Sequence, residues 1–267
     1  MPFFKSDKVN LYFEQRGTGP PVLFLAGLGL GLGIWYKIIP ALEREVTCIS
    51  LDVSGSGKSD TPTGPYTIER MATQAAALLD YLKIKQTAVI GHSMGALTAL
   101  SLAIDHPNRV NAIVCVGAAA AGCADDLGST SQVRSVLCKT RGAASEIIKG
   151  VMIASVADGY PENNFDDFNT LVAKVSDPET SYHKARGLMG QLAACETFDA
   201  SKQLERIGQP VMVVHGDNDK IVPNKIAKNL ARKIPNAKIN LLKRVGHLPQ
   251  WEAAETLSKI ILGFLNV

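Results

Sequence analysis

Apolar residues fall along this chain in two alternating rhythms. Short continuous apolar runs occupy residues 22–26, 47–51, 87–91 and 110–117, and later 211–215 and 238–242. Each is bounded by turn-forming residues, as strands buried on both faces of a parallel sheet are. Helical patterns lie between them. In residues 68–82, Met71, Ala75, Leu78, Leu79 and Leu82 recur at spacings of three and four. Residues 94–105 form a small, apolar helix that Pro107 stops. Residues 224–234 and 253–265 complete the set. Strand followed by helix, repeated, predicts a three-layer α/β fold with a mostly parallel central sheet and right-handed crossovers.

Residues 118–200 break that rhythm. They contain no run that reads as a buried strand, and three helical stripes instead. The first is Ile148, Val151, Met152 and Val156; the second is Phe165, Phe168, Val172 and Val175; the third is Tyr182, Ala185, Met189 and Leu192. Each stripe is expected to pack on its neighbour and on the main domain. A helical insertion between two strands of a sheet suggests a lid over an active site. The expected organisation is therefore a core of residues 1–117 and 201–267 with a helical cap at 118–200.

Composition narrows the function classes. The 267 residues are 46% hydrophobic and 20% charged, which fits one large α/β domain with an insertion. The 28 basic and 25 acidic residues leave a formal charge of +3. That balance argues against a nucleic-acid or membrane-surface partner. Lys5, Asp7 and Lys8 stand where a signal peptide needs an apolar core. The longest apolar stretch, residues 22–34, is interrupted by four glycines and is too short to span a bilayer. A cytoplasmic protein is expected. The five cysteines, Cys48, Cys115, Cys123, Cys138 and Cys195, show neither metal-ligand spacing nor a C-x-x-C pair. Cys48 and Cys115 read as small buried apolar residues.

The strongest chemical signal is Gly91-His92-Ser93-Met94-Gly95, a G-x-S-x-G between a strand and a helix. Such a turn lifts the Ser93 hydroxyl above the sheet edge. It also aims the Met94 N–H at the same space, where the helix N-terminus favours negative charge. A serine nucleophile needs a base. His92 lies inside the turn, His106 ends a helix, His183 lies in the insertion and His215 ends a strand. His247 follows the last strand and precedes the final helix, on the carboxyl side of the sheet where α/β sheets collect their active sites. It is the expected base. Its orienting acid is expected in His215-Gly216-Asp217-Asn218-Asp219. Asp219 is the choice, with Asp217 shaping the turn through its own backbone. The order Ser93, Asp219, His247 is the one such folds use.

A tetrahedral intermediate needs two N–H donors for its oxygen. Met94 supplies one. The loop Ala26-Gly27-Leu28-Gly29-Leu30-Gly31 supplies the other, from Leu28 or, failing that, Gly29. Gly27, Gly29 and Leu248 are expected to contact substrate. Gly55-Ser56-Gly57-Lys58-Ser59 is similar to the end of a phosphate-binding loop. However, Asp52 stands where that motif has its first glycine, and the residues after Ser59 cannot start a helix, so the stretch reads as a turn.

Together these residues resemble the α/β-hydrolase superfamily over nearly the whole chain. Within it they look most like small esterases, 3-oxoadipate enol-lactonases and cofactor-free haloperoxidase-type perhydrolases. The matching residues are Gly27-Leu28-Gly29 with Trp35, Asp52 with Gly55-x-Gly57-x-Ser59, and Gly91 to Gly95. Phe198-Asp199, His215-Gly216-x-x-Asp219 with Pro223, and Gly246-His247 complete the match. The resemblance implies a sheet of about eight strands and a helical cap. Two positions depart from the family pattern. Ala26 stands where a histidine usually braces the oxyanion loop, and Ser54 where an arginine is common. Ala96 and Leu97 follow the turn where carbon–carbon bond hydrolases carry an arginine, which argues against that chemistry. Ser93 excludes the aspartate-nucleophile route of epoxide hydrolases and dehalogenases. The expected reaction is cleavage of a small carboxylic ester or lactone through an acyl-enzyme, with neither metal nor organic cofactor. Perhydrolysis by the same triad, and a ligand-binding receptor on this scaffold, remain the alternatives.

Overall fold

A computed structural model describes residues 2–122, 135, 144–177 and 185–267. The readings of Cys123, Cys138, Tyr182 and His183 lie outside the described residues. Eight strands form one sheet: β1 (Phe3–Ser6), β2 (Val9–Arg16), β3 (Pro21–Leu25), β4 (Thr47–Leu51), β5 (Thr87–His92), β6 (Val110–Val116), β7 (Val211–Gly216) and β8 (Ala237–Leu242). Their order is β1-β2-β4-β3-β5-β6-β7-β8. The pairs β1–β2 and β2–β4 are antiparallel, and all later pairs are parallel. The six expected runs are β3 to β8. The hairpin of β1 and β2 adds to the expectation; in β2 Val9, Leu11 and Phe13 are buried and Asn10 is exposed, but Tyr12 is buried too, so the period of two is broken.

Among the described residues these helices accompany the strands: α1 (Ile39–Leu42), α2 (Ile68–Tyr81), α3 (Met94–Asp105), α4 (Ala144–Ser155), α5 (Tyr160–Asn163), α6 (Phe165–Ser176), α7 (Ala185–Thr197), α8 (Asn224–Lys233), α9 (Pro249–Glu252) and α10 (Ala254–Leu265). Alternate residues of each central strand enter two separate cores. Leu23 and Leu25 of β3 join α2, α3 and α8 on one face, and Val22 and Phe24 join α1 and α10 on the other. This is the three-layer arrangement, and burial on both sides explains why these strands read as continuous apolar runs. The helix α3 is buried along nearly its whole length, wedged between the sheet and α2. The expected final helix, residues 253–265, is α10, and the short α9 precedes it across Ala253.

Helices α4 to α7 lie between β6 and β7. Ile148, Met152 and Val156 bury their stripe in the second core, as do Phe168 and Val175. Phe165, placed in that stripe by spacing, is instead 66% exposed. The third stripe is also corrected. Met189 is exposed, and the buried face of α7 carries Gly187, Gln191, Leu192, Ala194 and Cys195. The reason is close approach of neighbours: a Cβ on Gly187 would sit 2.4 Å from the backbone oxygen of Gly55, and one on Gly190 would sit 2.4 Å from the Tyr66 ring at Cδ2. The smallest side chains of α7, rather than its largest, mark the contact. No helix among the described residues is long and apolar enough to cross a membrane.

Candidate active site

Ser93 links β5 to α3 with φ 53° and ψ −116°, a conformation that costs a side-chain-bearing residue about 1–3 kcal/mol. The surroundings over-determine it. Ser93 N–H donates to Val116 O at 2.9 Å, tying the turn to the end of β6. A Cβ on Gly91 would meet Gly95 O at 2.3 Å, and one on Gly95 would meet Leu25 O at 2.1 Å. Both glycines of the motif are therefore steric necessities. Ser93 opens onto a narrow cavity of about 30 Å³ whose described wall includes Leu28, Met94, Leu97, Gly117, Cys195 and Val222. Burial pushes the Cys195 thiol up to about 12, so it contributes a neutral apolar surface.

The two other members of the expected triad meet directly. His247 Nδ1 donates to Asp219 Oδ2 at 2.7 Å, and both residues are buried. Asp219 Oδ1 accepts the N–H groups of Ile221 and Val222, each at 2.8 Å. Burial raises the Asp219 carboxyl, but the charge and hydrogen bond of His247 outweigh it and hold it below its ordinary value. Gly117 joins this pair to the serine. It shares the cavity wall with Ser93, and a Cβ on it would come within 3.1 Å of His247 Nδ1. Among the described residues no hydrogen bond joins Ser93 Oγ to the His247 ring. Such contacts are commonly loose in an unliganded site and tighten with substrate. Asp217 does not bend its own turn. Its Oδ1 accepts the N–H of Arg244 at 2.6 Å, bracing the turn after β8 instead.

The loop after β3 forms a turn closed by Leu30 N–H to Gly27 O at 3.0 Å. Gly29 sits at φ 69°, where a turn of this kind needs a left-handed residue. Leu28 and Met94 both reach the cavity. Met94 is the first residue of α3, so its N–H has no acceptor within the helix. Gly29 N–H is engaged by the side chain of Gln191 at 2.9 Å, which removes it as the fallback donor. Gly27, Gly29 and Leu248 are not part of the described cavity wall. Gly27 is needed because a Cβ there would strike His92 Nδ1 at 2.7 Å. Leu248 is buried in the second core, and its N–H donates to Glu252.

Sequence reasoning passed over the residues that hold His247 in place. His92 Nε2 donates to His247 O at 2.9 Å, and His247 N–H donates to Ser155 O at 2.6 Å. Glu252 accepts the N–H groups of Gly246 and Leu248 on either side, and that of Ala157 at 2.8 Å. Burial raises the Glu252 carboxyl against the pull of these donors. The spacing His247 to Glu252 was visible, but nothing in it distinguishes a clamp from a surface acid. His215 Nε2 donates to Val222 O at 2.8 Å and lies 3.2 Å from Asp219 Oδ2, so it supports the acid's loop. The Gly55–Ser59 stretch is a structural turn. Asp52 accepts the N–H groups of Leu32 and Lys58, and a Cβ on Gly57 would collide with its carboxylate. No group of three or more potential metal ligands is found among the described residues.

The buried histidines set a pH dependence of stability. Burial pushes His92 down to about 3 and lowers His215 from its ordinary value. Both fold neutral, whereas the unfolded chain protonates them near about pH 6.5. Below that pH the unfolded state binds more protons, so stability falls on acidification. The unfolding free energy is expected to drop between about pH 7 and about pH 5, by up to about 1.4 kcal/mol per pH unit for each histidine, with a matching fall in the urea midpoint. Equal midpoints at the two pH values would contradict this account.

Comparison with known proteins agrees with this architecture. The family model described as alpha/beta hydrolase fold matches residues 20–254. A putative carbamate hydrolase RutD of Azorhizobium caulinodans is 26% identical over 99% of this chain and 98% of its own length. The 3-oxoadipate enol-lactonase 2 of Acinetobacter baylyi is 28% identical over 91% and 87% respectively. A poly(3-hydroxyalkanoate) depolymerase of Ectopseudomonas oleovorans is 30% identical over 92% and 84%. The chain belongs to the alpha/beta hydrolase fold family, and hydrolysis is the class of reaction its relatives share.

Proposed function

We propose that this chain hydrolyses a carboxylic ester or lactone through an acyl-enzyme formed on Ser93. The observation that carries the reading is the buried His247–Asp219 pair, 2.7 Å apart, beside a strained serine at the mouth of an apolar cavity. With Nδ1–H committed to Asp219, His247 Nε2 is the free base. It takes the Ser93 proton as Oγ attacks the acyl carbon. The carbonyl oxygen becomes an oxyanion facing the Leu28 and Met94 N–H groups. The leaving oxygen departs with the proton from Nε2. Water then repeats the sequence, His247 activating it and Ser93 leaving. Asp219 stays ionised throughout, because two backbone N–H groups and His247 stabilise its charge.

The inserted helices α4 to α7 serve as the cap, and the substrate enters between them and the sheet. The described cavity wall carries no charged side chain, which favours an uncharged acyl group. Relatives named for a lactone and for a polyester support the ester or lactone reading. A relative named for a carbamate supports a second one, since the same triad can transfer a carbamoyl group. A panel of p-nitrophenyl esters, aliphatic lactones and aryl carbamates separates them. Esters or lactones are expected to exceed carbamates in kcat/KM by about tenfold or more, about 1.4 kcal/mol in transition-state binding. Carbamates leading the panel would establish the second reading. Inertness toward every ester and lactone would overturn the first.

A further inference from the structure

The family resemblance left two gaps at this site: Ala26 in place of a bracing histidine, and Ser54 in place of an arginine. One side chain from the inserted helices occupies the space between those two stretches. Gln191 of α7 is fully buried. Its Oε1 accepts the N–H of Gly29 at 2.9 Å. Its Nε2 donates to Ser54 O at 3.0 Å and to Ser56 Oγ at 2.8 Å. Three of the four hydrogen bonds an amide can make are thus used, all to residues more than 130 positions away in sequence. The turn it grips is itself anchored to α2, where Gln74 Oε1 accepts the Ser54 N–H at 3.1 Å and Gln74 Nε2 donates to Ser54 Oγ at 3.1 Å.

We infer that Gln191 is the positioning residue of the oxyanion hole, setting the peptide of Leu28 by holding its neighbour Gly29. The inference rests on the assignment of Leu28 and Met94 as oxyanion donors. Its physical basis is the turn. Leu28 N–H lies in the peptide whose carbonyl, Gly27 O, accepts Leu30 N–H, and Gly29 N–H lies in the next peptide, so the turn bond and the Gln191 bond together pin both peptides on either side of Leu28. Gly27, Gly29 and Gly31 leave this loop soft by composition, and an oxyanion donor works only when it is preorganised. The stiffness comes from outside the loop, through a helix that also supplies Cys195 to the cavity wall. Seating of α7 is itself precise, because Gly187 lies against Gly55 with no space for a Cβ. Placement of the inserted helix and assembly of the oxyanion hole are therefore one event.

The test uses Gln191→Met, which keeps the volume and removes all three hydrogen bonds. Wild type is first titrated with a fluorophosphonate, with Ser93→Ala as the blank, so that failure of the Ser93 assignment is seen separately. Activity toward p-nitrophenyl acetate is then expressed per titrated site. The variant is expected to lose about 10- to 100-fold in kcat with KM within about twofold, because one donor is misplaced rather than removed. Affinity for an alkyl boronic acid, whose serine adduct carries the tetrahedral anion, is expected to fall by the same factor. The pH profile of kcat is expected to keep its wild-type shape, since His247 and Asp219 are untouched. Unchanged kcat and boronate affinity in a folded Gln191→Met would overturn the inference, as would a loss confined to KM. If that variant does not fold, Ser56→Ala carries the test by removing one anchor. A fall of about two- to fivefold in kcat at constant KM supports the inference, and an unchanged kcat overturns it.

Discussion

Replacement of Ser93 by alanine is expected to reduce kcat/KM on the best ester or lactone by about 10⁴- to 10⁶-fold and to abolish fluorophosphonate labelling. The magnitude follows from the covalent route: without Oγ there is no acyl-enzyme, and only the residual effect of the oxyanion donors remains. Stability supplies an independent reading of the same residue. Ser93→Ala keeps a Cβ at φ 53° and so keeps the strain, whereas Ser93→Gly removes it. Ser93→Gly is expected to be as inactive as Ser93→Ala but more stable, by about 1 kcal/mol in the urea unfolding free energy. An inactive protein stabilised by loss of its serine would mark the turn as strained for function. Labelling that persists in Ser93→Ala would remove the nucleophile assignment.

Asp219→Asn is expected to be the next most damaging change, lowering kcat by about 10⁴-fold while leaving the fold intact. The argument is local. Asparagine Oδ1 can keep the Ile221 and Val222 N–H groups, which now hold Asp219 Oδ1 at 2.8 Å, so the loop survives. Its amide nitrogen then faces His247 Nδ1 in place of Asp219 Oδ2. Two donors cannot share that contact, so the imidazole must carry its proton on Nε2, where a base is needed. The neutral neighbour also ceases to stabilise the imidazolium formed during proton transfer. Asp217→Asn is the matched control. Its carboxylate is exposed and braces Arg244 N–H, so kcat is expected to stay within about twofold. Similar losses in both variants would mean that the acid had been chosen wrongly between them.

Much of the architecture was legible because it rests on local rules. Strands β3 to β7 announced themselves as apolar runs since their central residues are buried on two faces, whereas β8, at the sheet edge, is largely exposed or half-buried despite the same expectation. The G-x-S-x-G turn was equally plain, because Gly91 and Gly95 face backbone oxygens at distances that exclude a Cβ. The placing of His247 and Asp219 after successive strands followed from the parallel order, which puts all such loops at one end of the sheet.

What the tertiary structure decided concerns polar side chains that act across long sequence separations. Periodicity sorts apolar from polar, so it put Met189 on the buried stripe and carried no signal for Gln191, whereas the fold buries the amide and exposes the methionine. Glu252 and His92, which hold the backbone of His247, carry no local mark either, because their partners are backbone groups that every sequence has. Gly29 was a candidate donor until a residue 162 positions away took its N–H. A buried polar group is stable only where the three-dimensional arrangement brings it partners, and that arrangement is a property of the assembled layers rather than of any segment. From the sequence alone came most of the sheet, the G-x-S-x-G turn and the proposed order Ser93, Asp219, His247; the bracing of the loop after β3 and of the His247 backbone was decided by the fold.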